Sequence, residues 1–357
     1  MTDNKDAVLL KKTEQPVIEC LLSESERKKY SIEGSTLHAP SSHEEMLECA
    51  RLAAEAHRRA RYAVQQMIKP GVSLLEIANT VENSTRTLLG TGYNQGIGFP
   101  TGLSLNACAA HDSPNPKSKT VLLQENDVLK VDFGTQVNGY IIDSAFTVTF
   151  NPEYESLLRA SQEAVYECLK LAGPDTRLKD IGEKAEEIMR SYEVMVNGRE
   201  TAIRPVTNLN GHTINRYKIH GGKYVPIVKN SGVKDRMVEG EFYAIETFAT
   251  TGKGYVIEKG DCSHYMISNP NALSKLSGGK SLLDYIKKTF HTLPFCKRYI
   301  DPTITMPDVY LSHLTKVGAV EAYPPLVDTP GSLVSQFEHT LFIKSAGIEV
   351  LSKGDDY

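Results

Sequence analysis

The sequence predicts an α+β fold of two related halves, whose antiparallel strands form a central sheet flanked by helices. Three observations predict it. Apolar residues first recur at helical spacing from residue 41 onward. Residues 128–148, "VLKVDFGTQVNGYIIDSAFTV", then read as two apolar strands joined by Asn138-Gly139, the preferred two-residue hairpin turn. Finally, short strings recur later in the chain in the same order. At an offset of 104, Pro70 matches Pro174, Leu74 matches Leu178, Ile77 matches Ile181 and "SLN" matches "NLN".

Residues 1–40 are polar, with weak periodicity, and read as a short irregular or partly ordered arm. Residues 41–357 read as one domain. Ser41-Ser42 cap its first helix, Glu44-Glu45 suit the first turn, and Met46, Ala50, Ala53, His57, Ala60, Val64 and Met67 share a face. Pro70-Gly71 ends it, and Ser73 with Glu76 forms a capping box for the next helix. The hairpin strand has a counterpart at an offset of 114, where "ENDVLKVDFGT" lies over "EGEFYAIETFAT" and Asp132 over Glu246. "IIDSAF" lies over "QFEHTLF" at an offset of 195, which puts Asp143 over Glu338. The difference between the two offsets requires an insertion in the second half, at about 259–320, where the pattern looks helical.

Asp132 and Asp143 stand among Val131, Phe133, Ile141, Ile142 and Phe146, a poor surface for a solvated hairpin. An ionised carboxylate in a core is costly unless it is paired or bound to a metal. With Asn138-Gly139 as the turn, Val137 pairs with Tyr140 and Gly134 with Asp143, so Asp132 is diagonal to Asp143 on the same face. Diagonal neighbours lie roughly 7–8 Å apart at the backbone, near enough to share one cation or a close pair. If the halves meet at the repeat axis, Glu246 and Glu338 join them. Such a cluster repels itself unless cations occupy it, so the repeat predicts a two-metal site. "NLNGHTINRYKIHGG" offers His212 and His220 as further ligand candidates.

The 357 residues carry a net charge of -4, which argues against a dedicated nucleic-acid binder. Six cysteines without any C-x-x-C pair predict neither a disulfide framework nor a zinc finger, and fit a reducing compartment. No stretch approaches the roughly 18 apolar residues of a membrane span, and the N-terminus lacks a signal-peptide pattern. The expectation is a cytoplasmic protein without membrane or specific nucleic-acid partners. Two motif fragments carry nothing. "SGGKS" has Ser274 where a phosphate loop needs glycine, and "HEEML" lacks the second histidine of H-E-x-x-H.

"VDFG", "IIDSAFTVTF", "LNGHTI", "YAIETF" and "QFEHT", in that order, resemble the methionine aminopeptidases of the pita-bread (creatinase/aminopeptidase) fold. The resemblance runs from about residue 43 to the end, and the insertion before "PPLVDTPGSLVSQFEHT" points to the type 2 branch. It implies removal of the initiator methionine from nascent proteins by two-metal hydrolysis of the first peptide bond, favouring small second residues. It also implies that Asp132, Asp143, His212, Glu246 and Glu338 are the metal ligands. Asp143 and Glu338 would bridge two divalent ions, Asp132 would chelate one, and His212 and Glu246 would hold the other. Oxygen donors with one nitrogen suit Mn, Fe(II), Co or Zn.

By the same resemblance, Glu246 shuttles the proton, His220 stabilises the oxyanion and His111 assists at the leaving amine. Phe99, Ile219, His264 and Tyr323 wall the methionine pocket with His111 and His220. His339 should face away from Glu338 and pack. The implied partners are nascent polypeptide N-termini and the ribosome, with the chain a monomer. The short arm departs from the long lysine-rich and acidic blocks of many type 2 relatives, which leaves ribosome docking open. A proline-directed aminopeptidase of the same fold shares the ligands, and a metal-free ribosome- or RNA-binding relative would have lost them.

Overall fold

The structure is a computed structural model that describes residues 18–30, 39–229 and 232–357. The first helix of the predicted domain spans His43–Met67, and Ser42 caps it by accepting from the Glu45 N–H. Its inward face is Ala50, Ala53, His57, Ala60 and Val64, small enough to bring the helix close to the sheet. The helix Leu74–Leu89 starts with the reciprocal capping box of Ser73 and Glu76. In the second half, Glu155–Leu171 and Leu178–Arg190 take the corresponding places. The predicted arm contributes more than its composition implied. Its described part includes a helix, Glu24–Tyr30, and both Leu22 and Tyr30 are buried in the core.

The hairpin strands are Val128–Val137 and Tyr140–Thr149, with Gly134 opposite Asp143 and Asp132 opposite Ala145, the register the turn predicts. Asn138 and Gly139 both have positive φ, at 51° and 79°. Gly139 has a second reason to lack a side chain, because a Cβ there would lie 2.4 Å from the Tyr217 ring. Gln95–Leu105 completes this three-stranded antiparallel sheet.

The second half builds a six-stranded sheet in which Phe242–Thr250 pairs with Val334–Ile343 and with Asn210–Ile214. Here Glu246 lies directly opposite Glu338, whereas Asp132 and Asp143 are diagonal. A two-residue turn pins the first register. The long insertion that joins the second pair of strands leaves that register to packing.

The two sheets meet along Tyr140–Thr149 and Val334–Ile343, and buried hydroxyls bridge them. Thr340 Oγ1 donates to the Asp143 carbonyl at 2.6 Å and accepts from the Asp143 N–H at 2.8 Å. Thr147 Oγ1 does the same for Gln336, at 2.6 and 2.8 Å. Ser144 Oγ donates to the Glu338 carbonyl at 2.7 Å. The expected single central sheet is therefore two sheets stitched by side chains.

The insertion is not helical alone. Helices Ser277–Thr289 and Pro307–Lys316 pack on a three-stranded sheet of His264–Ile267, Phe295–Cys296 and Val320–Tyr323. It has its own core, centred on Leu282, Ile286, Phe295, Leu311 and Leu314. Strands this short carry too few residues for alternation to show. No helix among the described residues is long and apolar enough to cross a membrane.

Thr340→Val keeps the branched shape but strands a buried N–H and a buried C=O of Asp143. Each stranded group costs about 1–3 kcal/mol, so urea unfolding should show a loss of at least about 2 kcal/mol. A change below about 0.5 kcal/mol, within the range of a neutral surface substitution, would show that the hydroxyl bridge is not what joins the sheets.

Candidate active site

A cavity of about 150 Å³ opens where the two sheets and the insertion meet. Every residue singled out for chemistry or substrate contact lines it, from Phe99 and His111 to Tyr323 and Glu338. The two sheets supply the acids. Donor atoms of Asp143, His212 and Glu338 lie within 4.8 Å of one another. His212 Nε2 is 3.5 Å from Asp143 Oδ2 and 4.0 Å from Glu246 Oε1. Its Nδ1 lies 3.1 Å from the Thr213 carbonyl, which favours the tautomer that turns the Nε2 lone pair toward the acids.

Asp132 Oδ1 and both oxygens of Glu338 are buried without a donor among the described residues. The Glu338 carboxyl has the Asp143 carboxyl beside it, and two carboxyls bond only when one carries a proton. Burial first, and repulsion between the acids second, push Asp143, Glu246 and Glu338 well above the usual carboxylate range. Burial raises Asp132 to about 6. No lysine or arginine neutralises them at hydrogen-bond range among the described contacts. Four buried acids, two of which keep oxygens without a donor, and one imidazole lone pair fit divalent cations, whose charge offsets theirs.

The other histidines form the wall facing the acids. His220 stands edge-on to His212 with ring centroids 4.6 Å apart, and His111 is edge-on to Tyr323 at 5.8 Å. Burial lowers His111 to about 4 and His264 to about 3, so both are neutral imidazoles at pH 7. Phe99 reaches the pocket because Gly134, between the two aspartates in sequence, has no side chain. A Cβ on Gly134 would sit 2.2 Å from the Phe99 ring. On the far face of the strands, His57 stacks on Phe133 at 3.9 Å and His339 on Tyr357 at 4.8 Å.

Gln336 escaped the sequence reading. Its Nε2 donates to Asp132 Oδ2 at 3.1 Å and to Glu246 Oε2 at 3.3 Å, tying together one acid from each half. Phe248 and Met266 also line the cavity unanticipated. All three lie two residues from a residue already named, on the same strand face, so the period of two was the available signal.

The model of metallopeptidase family M24 matches residues 44–269. Methionine aminopeptidase 2 of Kluyveromyces lactis is 51% identical over 332 residues, covering 90% of this chain and 79% of that protein. Among solved structures, a thermophilic Arx1 superposes with a TM-score of 0.72 at 16% identity, over 88% of this chain and 92% of that one. Methionine aminopeptidase from Thermotoga maritima does so with a TM-score of 0.58 at 20% identity, over 89% and 98%. At such identities the structural likeness establishes the fold.

The strained acids give a signed prediction for the metal-free protein. Glu338 is raised from 4.5, so its favourable contribution is present below that value and is lost as pH rises toward its folded pKa. Glu338→Gln keeps the shape and does not titrate. In chelator-treated samples its melting temperature should gain on wild type progressively as pH rises from about 4.5 to 8. A difference that does not change with pH would contradict the buried-acid account.

Proposed function

The chain belongs to metallopeptidase family M24, in its methionine aminopeptidase 2 branch, and on that premise we propose that Asp132, Asp143, His212, Glu246 and Glu338 hold two divalent cations. The enzyme removes N-terminal methionine from polypeptides. The observation that carries the metal reading is the set of buried carboxylate oxygens left without donors at the cavity floor. Mn, Fe(II), Co and Zn all suit the donor set. When bound, such cations bring the pKa of water toward neutrality and polarise a carbonyl.

The chain's own groups bind, orient and move protons around that chemistry. Glu246 takes a proton from water at a carboxylate oxygen and passes it toward the departing amine. Neutral His220 donates from an imidazole N–H to the carbonyl oxygen as negative charge develops there. His111 stands at the leaving amine. The walls from Phe99, Ile219, His264 and Tyr323 exclude water and accept one unbranched side chain, for which a polarisable thioether is well suited. A small second residue fits the mouth beside His111 and His220. All six cysteines are free, which supports work in the reducing cytoplasm.

Two measurements test this reading. At saturating metal, Glu246→Gln should lower turnover by at least about 100-fold, and unchanged turnover would place the proton transfer elsewhere. On Xaa-Ala and Met-Xaa peptide sets, kcat/KM should favour methionine over leucine by about tenfold or more, with norleucine a competent substrate. Faster cleavage of leading leucine, or a requirement for proline at the second position, would overturn the assignment.

A further inference from the structure

Behind the acids, residues 351–357 fold back against the face of Val334–Ile343 that is turned away from the cavity. Arg61, only 1% exposed, holds this segment. Its Nε and Nη2 grip the two Asp356 oxygens at 2.6 and 2.7 Å, and Nη1 donates to the Ser352 carbonyl at 3.0 Å. Gln65 adds a bond to Asp356 at 2.8 Å. The grip seats Tyr357 in the core, 5% exposed.

One side of the Tyr357 ring has the Arg61 guanidinium 4.4 Å from its centroid, and the His339 ring stacks on it at 4.8 Å. Phe337 meets it edge-on at 5.5 Å. Phe337 and His339 are the two chain neighbours of Glu338. Phe146, on the strand that carries Asp143, lies 6.1 Å away.

The hydroxyl gives a direction to this packing. Tyr357 Oη lies 3.0 Å from Ser144 Oγ. Ser144 has one hydroxyl proton and gives it to the Glu338 carbonyl at 2.7 Å, so Tyr357 is the donor in the other contact. The relay runs from Tyr357 through Ser144 to the backbone of Glu338, and Ser144 directly follows Asp143 in the chain. Phenylalanine would fill the same space without burying a polar group, so packing alone does not account for the hydroxyl.

We propose that Tyr357 is a positioning residue for the metal site, fixing the backbones of Asp143 and Glu338 from behind through Ser144. The need arises at the seam, where side-chain hydroxyls stand in for a backbone ladder. Removing an outer partner of a metal ligand typically weakens metal binding 10- to 100-fold.

The inference rests on the metal reading above, and one titration separates the two. Wild type and Tyr357→Phe, both stripped of metal, are titrated with Mn(II) by calorimetry and assayed on a Met-Ala peptide at saturating metal. The expected result is about tenfold weaker Mn(II) binding, a comparable fall in kcat with KM unchanged, and a metal-free melting temperature within a few degrees of wild type. Ser144→Ala cuts the same relay and should reproduce the loss, with the double variant no worse than either single one. Wild-type Mn(II) affinity and kcat in Tyr357→Phe would overturn the inference. So would additive losses in the double variant, or a weakening matched by collapse of the metal-free melting temperature, which would assign Tyr357 to packing. Wild type that binds no Mn(II) would sink the metal reading itself.

Discussion

Four carboxylates brought together out of water are the constraint that the rest of this structure answers. Two come from each half of the chain, and the fold turns them toward one cavity rather than toward solvent. Without counter-charge they compete for protons, as their raised pKa values record. In exchange, the fold obtains a compact donor set that neutral side chains cannot provide.

The scaffold divides the labour between the two faces of its strands. The cavity face carries the acids and Gln336, whose amide bonds to Asp132 and Glu246 together. The opposite face carries the packing that holds them, His57 on Phe133 in the first half and Tyr357 on His339 in the second. Between the halves, Thr147, Ser144 and Thr340 replace a regular ladder. Strand alternation makes this division possible, since neighbouring residues point to opposite sides. The insertion then closes the apolar side of the cavity with His264 and Tyr323, which pair directly across its small sheet.

What was legible in the sequence followed from local rules. Asn138-Gly139 pinned one register, so the placement of Asp132 relative to Asp143 could be derived residue by residue. The repeat carried Glu246 and Glu338 to the same place, but nothing local set their pairing, and they stand directly opposite each other instead of on a diagonal. The insertion's sheet was hidden because its strands are at most four residues long. Gln336 sat two residues before Glu338 on the same face and was overlooked because an amide beside acids looks unremarkable in a string. The seam was hidden for another reason: threonine on a strand reads as ordinary β-propensity, and its use as a bridge appears only when a second strand is placed beside it.

Divalent cations make this buried acidity tolerable. The most direct measurement is calorimetric titration of the metal-stripped chain with Co(II) at pH 7, in two buffers of different ionisation enthalpy. Two equivalents should bind with net release of protons, because acids that hold protons in the metal-free state must give them up to bind. Binding without proton release, or no binding at all, would contradict it.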